Sequence, residues 1–294
     1  MRANISHVNT KYFDLIEAVL LNGERQVDRT GVGTRSVFAP DARFTWDSQD
    51  GIAPVITLKH LNVRAVAQEL AWFIYGHTNT RTLGCGIWDA WAGTSGECGP
   101  IYGAQWRGSN DGPDQLRDVL KLLKAKPTTR QAVVSSWNPT DLPNMALPPC
   151  HTLFQFKVTV GRLDLQLYQR SADLGLGVPF NILSYYWLQH LCAAYLGLPP
   201  GVLTIVYGDL HIYTNHEAAL YNLANAWAVN YHLYNHTVTF KVTDNALNRF
   251  RNAIDCHNQY CERTVEQVSD LANAILEGLG EFTQGPRIKL DVAV

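Results

Sequence analysis

Two runs of alternating apolar and polar residues, LFQFKVTV (153–160) and LDLQLYQ (163–169), stand on either side of Gly161-Arg162. A period of two puts every second side chain on one face, so the pattern predicts two half-buried strands joined as a hairpin across Gly161-Arg162. VLTIVYGDLHIY (202–213) predicts a later strand. Between them, from Pro179 to about Leu196, a strongly apolar segment reads as a helix with Pro179 in its first turn. Elsewhere the apolar period is helical, over 10–23 and 62–76, each closed by a glycine, and over 116–125. Residues 93–114 read as loops around a short aromatic segment, IYGAQW. No linker, repeat or low-complexity stretch interrupts the chain. The expected fold is α+β, a single domain over 1–294 with a mostly antiparallel sheet flanked by helices.

With 294 residues, 46% of them hydrophobic and 17% charged, the chain can bury a large core. Lys and Arg number 24 against 26 Asp and Glu, and no basic tail or like-charge block appears. No nucleic acid is therefore expected as a required partner, and any bound anion must meet a few placed arginines. The N-terminus has no apolar leader pattern, and the longest apolar stretch, 182–197, is interrupted by Gln189 and His190. No membrane partner is expected, and the cytoplasm is the expected location. Six cysteines without a CxxC pair argue against a disulfide framework there, so the thiols are expected to stay reduced. CHNQYC (256–261) lacks a second cluster to complete four ligands, and no metal is expected.

Several segments hold residues whose chemistry needs a reason. In PPCHTLFQF (148–156), Cys150 follows two prolines and precedes His151 at the mouth of the first strand. Neighbours on a strand face opposite ways, so His151 is not placed to be the base of a thiol–imidazole pair, and by position alone a buried structural thiol also explains Cys150. Glu69 is a carboxylate among Leu70, Trp72 and Phe73 on an otherwise apolar helix. In YQRSADLGLGVPFNI (168–182), Arg170 and Ser171 suit a phosphate through charge-assisted hydrogen bonds; the alternative is a surface loop with Asn181 capping a helix. GDLHIYTNH (208–216) puts His211 and Tyr213 two apart on a strand, where both could meet a sugar hydroxyl. VDRTGVGT (27–34) adds Arg29 in a glycine-rich turn and TTRQAVVSSWN (128–138) adds Arg130, each readable singly as a surface charge.

Taken together and in order, QELAWF, IWDAWA, GPIYGAQWR, LPPCHTLFQF, YQRSADLGLGVPFNI and GDLHIYTNH resemble the thymidylate synthase family, folate-dependent enzymes that methylate dUMP. The resemblance runs from VDRTGVGT to the C-terminal DVAV. It implies that Cys150 is the nucleophile, adding to ring carbon 6 of uracil so that carbon 5 becomes an enolate carbon. Arg170 beside it would favour the thiolate. Glu69 would protonate the uracil carbonyl through ordered water, its acidity weakened by burial. Tyr102 and His151 would assist the proton transfers, and Asn181 would fix the base. Asn at this place favours dUMP, because the related dCMP hydroxymethylases have Asp there.

By the same resemblance, His211 and Tyr213 hold the deoxyribose hydroxyl, and Arg29, Arg170 and Ser171 hold the phosphate. Arg130, followed by Gln131, would reach that phosphate from the partner subunit of a homodimer. Methylenetetrahydrofolate, the co-substrate, would lie over the pyrimidine with Asp173 bonding its pterin. Trp88, Trp91, Leu176, Gly177, Phe180, Val292 and Ala293 would form its apolar walls, with Lys59 near the folate tail. Three places depart from the family pattern: Gly175, where a bulky apolar residue is usual; Gln131, in place of a second arginine; and VITLKHLN, in place of a Thr-Thr-Lys run. Gly175 is expected to loosen the packing behind the folate. Three readings stay open: a thymidylate synthase making dTMP and dihydrofolate, a dUMP hydroxymethylase in which water replaces hydride at the exocyclic methylene, and a non-catalytic nucleotide-binding module.

Overall fold

The alternating runs become the long strands of a seven-stranded mixed sheet in the computed structural model, which describes residues 7–108, 112–230, 237–256 and 264–291. The chain opens with helix α1 (Val8–Asn22) and strands β1 (Glu24–Gln26), β2 (Thr34–Phe38), β3 (Phe44–Asp47) and β4 (Ile52–Ala53). Helices α2 (Val63–Ile74), α3 (Tyr102–Arg107) and α4 (Gln115–Ala125) precede strands β5 (Val133–Ser135), β6 (His151–Thr159) and β7 (Arg162–Asp173). Helix α5 (Gly177–Leu196), strand β8 (Pro200–Tyr213), helix α6 (Glu217–Asn230), strand β9 (Val238–Thr239), helix α7 (Asp244–Asp255) and helix α8 (Val265–Glu277) complete the order.

The sheet runs β1-β2-β8-β7-β6-β5, with β3 also on β8, and every pairing is antiparallel except β7 with β8. A parallel pair needs a crossover, and α5 supplies it. That helix is buried almost throughout from Val178 to Ala193 and packs against β7, β8, α2, α4 and α7. A helix apolar on all sides belongs at the centre of a core, which is where the chain puts it.

Local signals account for most ends. Asn62 caps α2 by accepting from the Ala65 N–H, and Asp114 caps α4 by accepting from the Arg117 N–H. Gly23 closes α1 where a Cβ would lie 2.4 Å from the Val19 carbonyl oxygen. The IYGAQW segment, read as an aromatic stretch among loops, contributes the short helix α3. Helix α5 starts two residues before Pro179, which still lies in its first turn.

Two expectations need correction. The hairpin turns at Val160-Gly161, one residue earlier than read, because β6 ends at Thr159 and β7 starts at Arg162. Both turn residues have positive φ, 49° and 73°, so the glycine marks the second turn position and not the first. The thiols are not all reduced: Cys85, Cys98, Cys150 and Cys192 are free, whereas Cys256 is disulfide-bonded. A disulfide needs only two close Cα atoms, and no CxxC spacing, so the missing motif at the end of α7 was no bar.

After α8 the chain forms no further strand among the described residues, yet it is tied down. Gly285 N–H donates to the Thr57 carbonyl (2.7 Å), His60 N–H to the Pro286 carbonyl (3.0 Å), and Leu61 N–H to Gln284 Oε1 (2.8 Å). Gly285 must be glycine here, since a Cβ would lie 2.1 Å from the Leu58 carbonyl oxygen. Among the described residues no helix is long and apolar enough to cross a membrane.

Val160 holds a left-handed conformation that costs an L-residue about 1–2 kcal/mol, and it is 91% exposed. Val160→Asn should therefore raise stability by roughly 0.5–1 kcal/mol, since Asn-Gly suits this turn. A lower denaturation midpoint in that variant would contradict the turn geometry.

Candidate active site

Cys150 sits where the two prolines give way to β6, held from both sides. Its carbonyl accepts from the Arg170 N–H of β7 (2.9 Å), and its own N–H donates to the Tyr102 hydroxyl (2.7 Å). The His151 N–H also donates to that hydroxyl, at 3.4 Å. Tyr102 is fixed in turn by ring packing against Phe73 (4.8 Å) and His151 (4.9 Å). Its hydroxyl thus accepts twice and keeps a proton to donate.

Arg170 does not simply lie free for an anion. Its guanidinium donates to the Pro149 and Pro148 carbonyls (2.9 and 2.8 Å) and lies over the Trp137 ring at 5.3 Å. It holds the loop that presents the thiol. Burial pushes the Cys150 thiol above its ordinary value, outweighing Arg170, a Ser171 hydrogen bond and Arg29, which pull it down; Asp173 adds to the rise. Arg170 thus favours the thiolate, as the resemblance implies, but burial outweighs it.

Glu69 is 9% exposed, and burial lifts its carboxyl from 4.5 to about 7, opposed by a 2.7 Å hydrogen bond from Trp88 Nε1. A carboxyl half-protonated near neutrality is suited to passing protons in either direction. Trp88 joins Glu69 to an aromatic wall, 5.8 Å from Trp72, 5.7 Å from Trp91 and 6.1 Å from Tyr102.

Asn181 is no helix cap. It lies inside α5, 5% exposed, and its Oδ1 accepts from Gln169 Nε2 at 2.7 Å. Gln169 went unremarked in the sequence, although it falls in the buried phase of Leu163, Leu165 and Leu167, where a polar residue needs a partner. Burial pushes the His151 imidazole down to about 4, against an Asn181 hydrogen bond, so it is neutral at physiological pH. His211 Nδ1 lies 2.8 Å from Asp209 Oδ1; the carboxylate accepts, so Nδ1 carries a proton and, in the neutral ring, Nε2 is an acceptor. The His211 and Tyr213 rings are 5.2 Å apart on the same strand.

The two loop arginines behave differently. Arg29 is exposed yet close enough to lower the Cys150 thiol, whereas Arg130 and Gln131 are exposed beside β5, the Arg130 carbonyl accepting from the Gln155 side chain (3.2 Å).

Asp173 accepts from the Gly175 and Leu176 N–H groups (2.8 and 3.3 Å), which turns the chain into α5, and Gly177 and Phe180 follow on that first turn. Lys59 is 5% exposed; burial pushes it down to about 8, against the pull of Asp173. The strands of contact at Thr57, His60 and Leu61 lay the C-terminal segment alongside it. Val292 and Ala293 lie outside the described residues. Gly175 does not loosen the wall as expected, because the His216 ring occupies its open side: a Cβ would meet His216 Nδ1 at 2.6 Å.

A thiol and a carboxyl half-protonated near neutrality, each close enough to act on the Tyr102 hydroxyl, suit covalent activation of an electron-poor ring. The sequence model of the thymidylate synthase family matches residues 10–253, and the chain belongs to that family. Its general chemistry is folate-dependent one-carbon transfer to dUMP, with methylenetetrahydrofolate as co-substrate. The residues present fit a flat polar heterocycle: Trp88, Trp91 and Phe180 offer aromatic surface, Asp173 an acceptor, and Trp91 Nε1 is buried without a hydrogen-bond partner. Among the described residues no group of His, Cys, Asp and Glu could hold a metal ion.

The Glu69 shift gives a signed prediction. Between pH 4.5 and about 7 the folded protein keeps a proton that the unfolded chain releases, so this carboxyl lowers stability as pH rises. Glu69→Gln, which cannot ionise, should match the wild type below pH 4.5 and exceed it by about 3 kcal/mol near pH 8. Parallel denaturation curves at every pH would show that the acid is not buried as described.

Proposed function

We propose that this protein is a thymidylate synthase in the strict sense, converting dUMP to dTMP with oxidation of the folate to dihydrofolate. The observation that carries this reading is filled packing at two places: Trp88 is 5% exposed and hydrogen-bonded to Glu69, and His216 fills the space over Gly175. A wall without that gap favours keeping water from the reacting carbon, which separates methylation from hydroxymethylation.

In this reading Cys150 adds through sulfur to ring carbon 6 of dUMP, and the two N–H bonds to Tyr102 keep the strand mouth rigid while it does so. The thiol proton must leave as the bond forms, because burial keeps it on sulfur beforehand. Glu69 and the Tyr102 hydroxyl are the proton carriers; His151, neutral, packs and positions. Gln169 holds the Asn181 amide so that it offers both an acceptor for a uracil N–H and a donor for the adjoining carbonyl. Arg29, Arg170 and Ser171 meet the phosphate, and His211 Nε2 with Tyr213 meets the sugar hydroxyl. Bound methylenetetrahydrofolate supplies the one-carbon unit and the hydride, with Asp173, Trp88, Trp91, Leu176, Gly177, Phe180 and Lys59 as its contacts.

We infer a homodimer that lends Arg130 across its interface, with Gln131 beside it. The sheet face opposite α5 supports this, since it leaves Val133 and Leu153 exposed, with Arg130 and Gln131 exposed at its β5 edge. Mixing a Cys150→Ala chain with an Arg130→Ala chain should then restore part of the activity lost by each alone.

Mass spectrometry of the nucleotide product from dUMP and methylenetetrahydrofolate tests the reaction. A methyl-sized gain with stoichiometric dihydrofolate is expected; a hydroxymethyl-sized gain without dihydrofolate would replace this reading with the hydroxymethylase. Cys150→Ala should bind dUMP and turn nothing over, and a protein that binds dUMP but reacts with neither outcome would be the nucleotide-binding module. Asn181→Asp should shift preference toward dCMP.

A further inference from the structure

His216 closes the GDLHIYTNH segment, and no bond-making or proton-transfer role above falls to it. It is 1% exposed, on the single turn Thr214–His216 that follows β8. Its Nε2 lies 2.9 Å from the Asp291 carbonyl oxygen, 75 residues further along the chain. A carbonyl can only accept, so Nε2 carries the proton and donates. In the neutral ring Nδ1 is then a bare acceptor, and it is buried without a partner.

That bare nitrogen faces Gly175. A Cβ there would lie 2.6 Å from Nδ1, 3.4 Å from Cε1 of the same ring and 3.2 Å from Asp173 Oδ1. Gly175 has no positive φ, so the backbone does not demand glycine; the space does. Any side chain would displace either the imidazole or the turn in which Asp173 binds the Gly175 and Leu176 N–H groups. One ring therefore touches the floor of the site at Gly175 and grips the C-terminal segment at Asp291. It also packs at 5.8 Å on Tyr213, which packs at 5.2 Å on His211.

We propose that His216 is a positioning residue that fastens the C-terminal segment at Asp291 against the site, and that Gly175 is glycine to seat its ring. The proposal rests on the reaction proposed above for its kinetic readout, though not for its structural one. His216 touches neither substrate. It sets where the chain lies at Asp291, and so how residues 284–291 are held against residues 57–61.

The test uses the full chain with His216→Ala, Gly175→Ala, the pair together, and His216→Gln, which keeps an N–H donor. Hydrogen exchange over 284–291 should speed up in both single variants. The folate KM should rise about tenfold, as loss of one buried hydrogen bond implies, while the dUMP Kd stays at the wild-type value. Release of the dUMP C5 hydrogen should exceed dTMP formation, and His216→Gln should recover part of the coupling. The double variant should be no worse than either single one, because both remove the same contact. Wild-type exchange and KM in His216→Ala would overturn the proposal, as would additive effects in the pair. If His216→Ala fails to fold, Gly175→Ala carries the same readouts. A wild-type protein without turnover would sink the reaction and leave the exchange measurement to decide the latch.

Discussion

The parallel pairing of β7 with β8 is the constraint on which the site depends. Two strands that run the same way must be joined over one face of the sheet, and the buried helix α5 makes that journey. The register sets Ser171 beside Asp209 and Asp173 beside His211, so residues 38 apart in sequence reach the same end of the sheet together. Because α5 begins only a few residues after β7 ends, its first turns deliver Phe180 and Asn181 to that end as well. The β6–β7 pairing then brings Cys150 alongside Arg170.

Desolvation governs the charge state of what is assembled there. It raises Glu69 and Cys150 and lowers His151, in each case toward the neutral form. The partners differ: a Trp88 N–H for the acid, a guanidinium and a hydroxyl for the thiol, an amide for the imidazole. The thiol, the carboxyl and the imidazole are thus held toward their neutral forms, with positive charge nearby on Arg29 and Arg170.

Much of this was legible in the chain. The strand pair, the apolar crossover helix and the Asn62-capped helix bearing Glu69 all follow from period and end signals, and an acid on an apolar helix face was already a marked residue. The turn at Val160 was not, since β-branched residues seldom take positive φ and the glycine drew the turn one place too far. Gln169 was visible only as a polar residue in a buried phase, and its partner Asn181 lay one helix turn beyond a bend that no local rule predicts. Cys256 was misread because spacing alone does not report which residues a chain brings together. Gly175 looked like missing volume; the side chain that supplies the volume comes from another segment.

The C-terminal segment also bears on how the molecule assembles. Its bond from Leu61 to Gln284 closes a loop of 223 residues, among the most distant contacts a chain of this length can make. Such contacts lose the most chain entropy before they return any interaction energy, so they form late and open early. The residues proposed to hold the nucleotide on β7, α5 and β8, clustered within a few dozen positions of one another, face no such delay. Folding should thus bring these residues together first and seat residues 284–286 on Thr57, His60 and Leu61 afterwards, leaving an interval in which the sheet end is assembled while the C-terminal segment is still free.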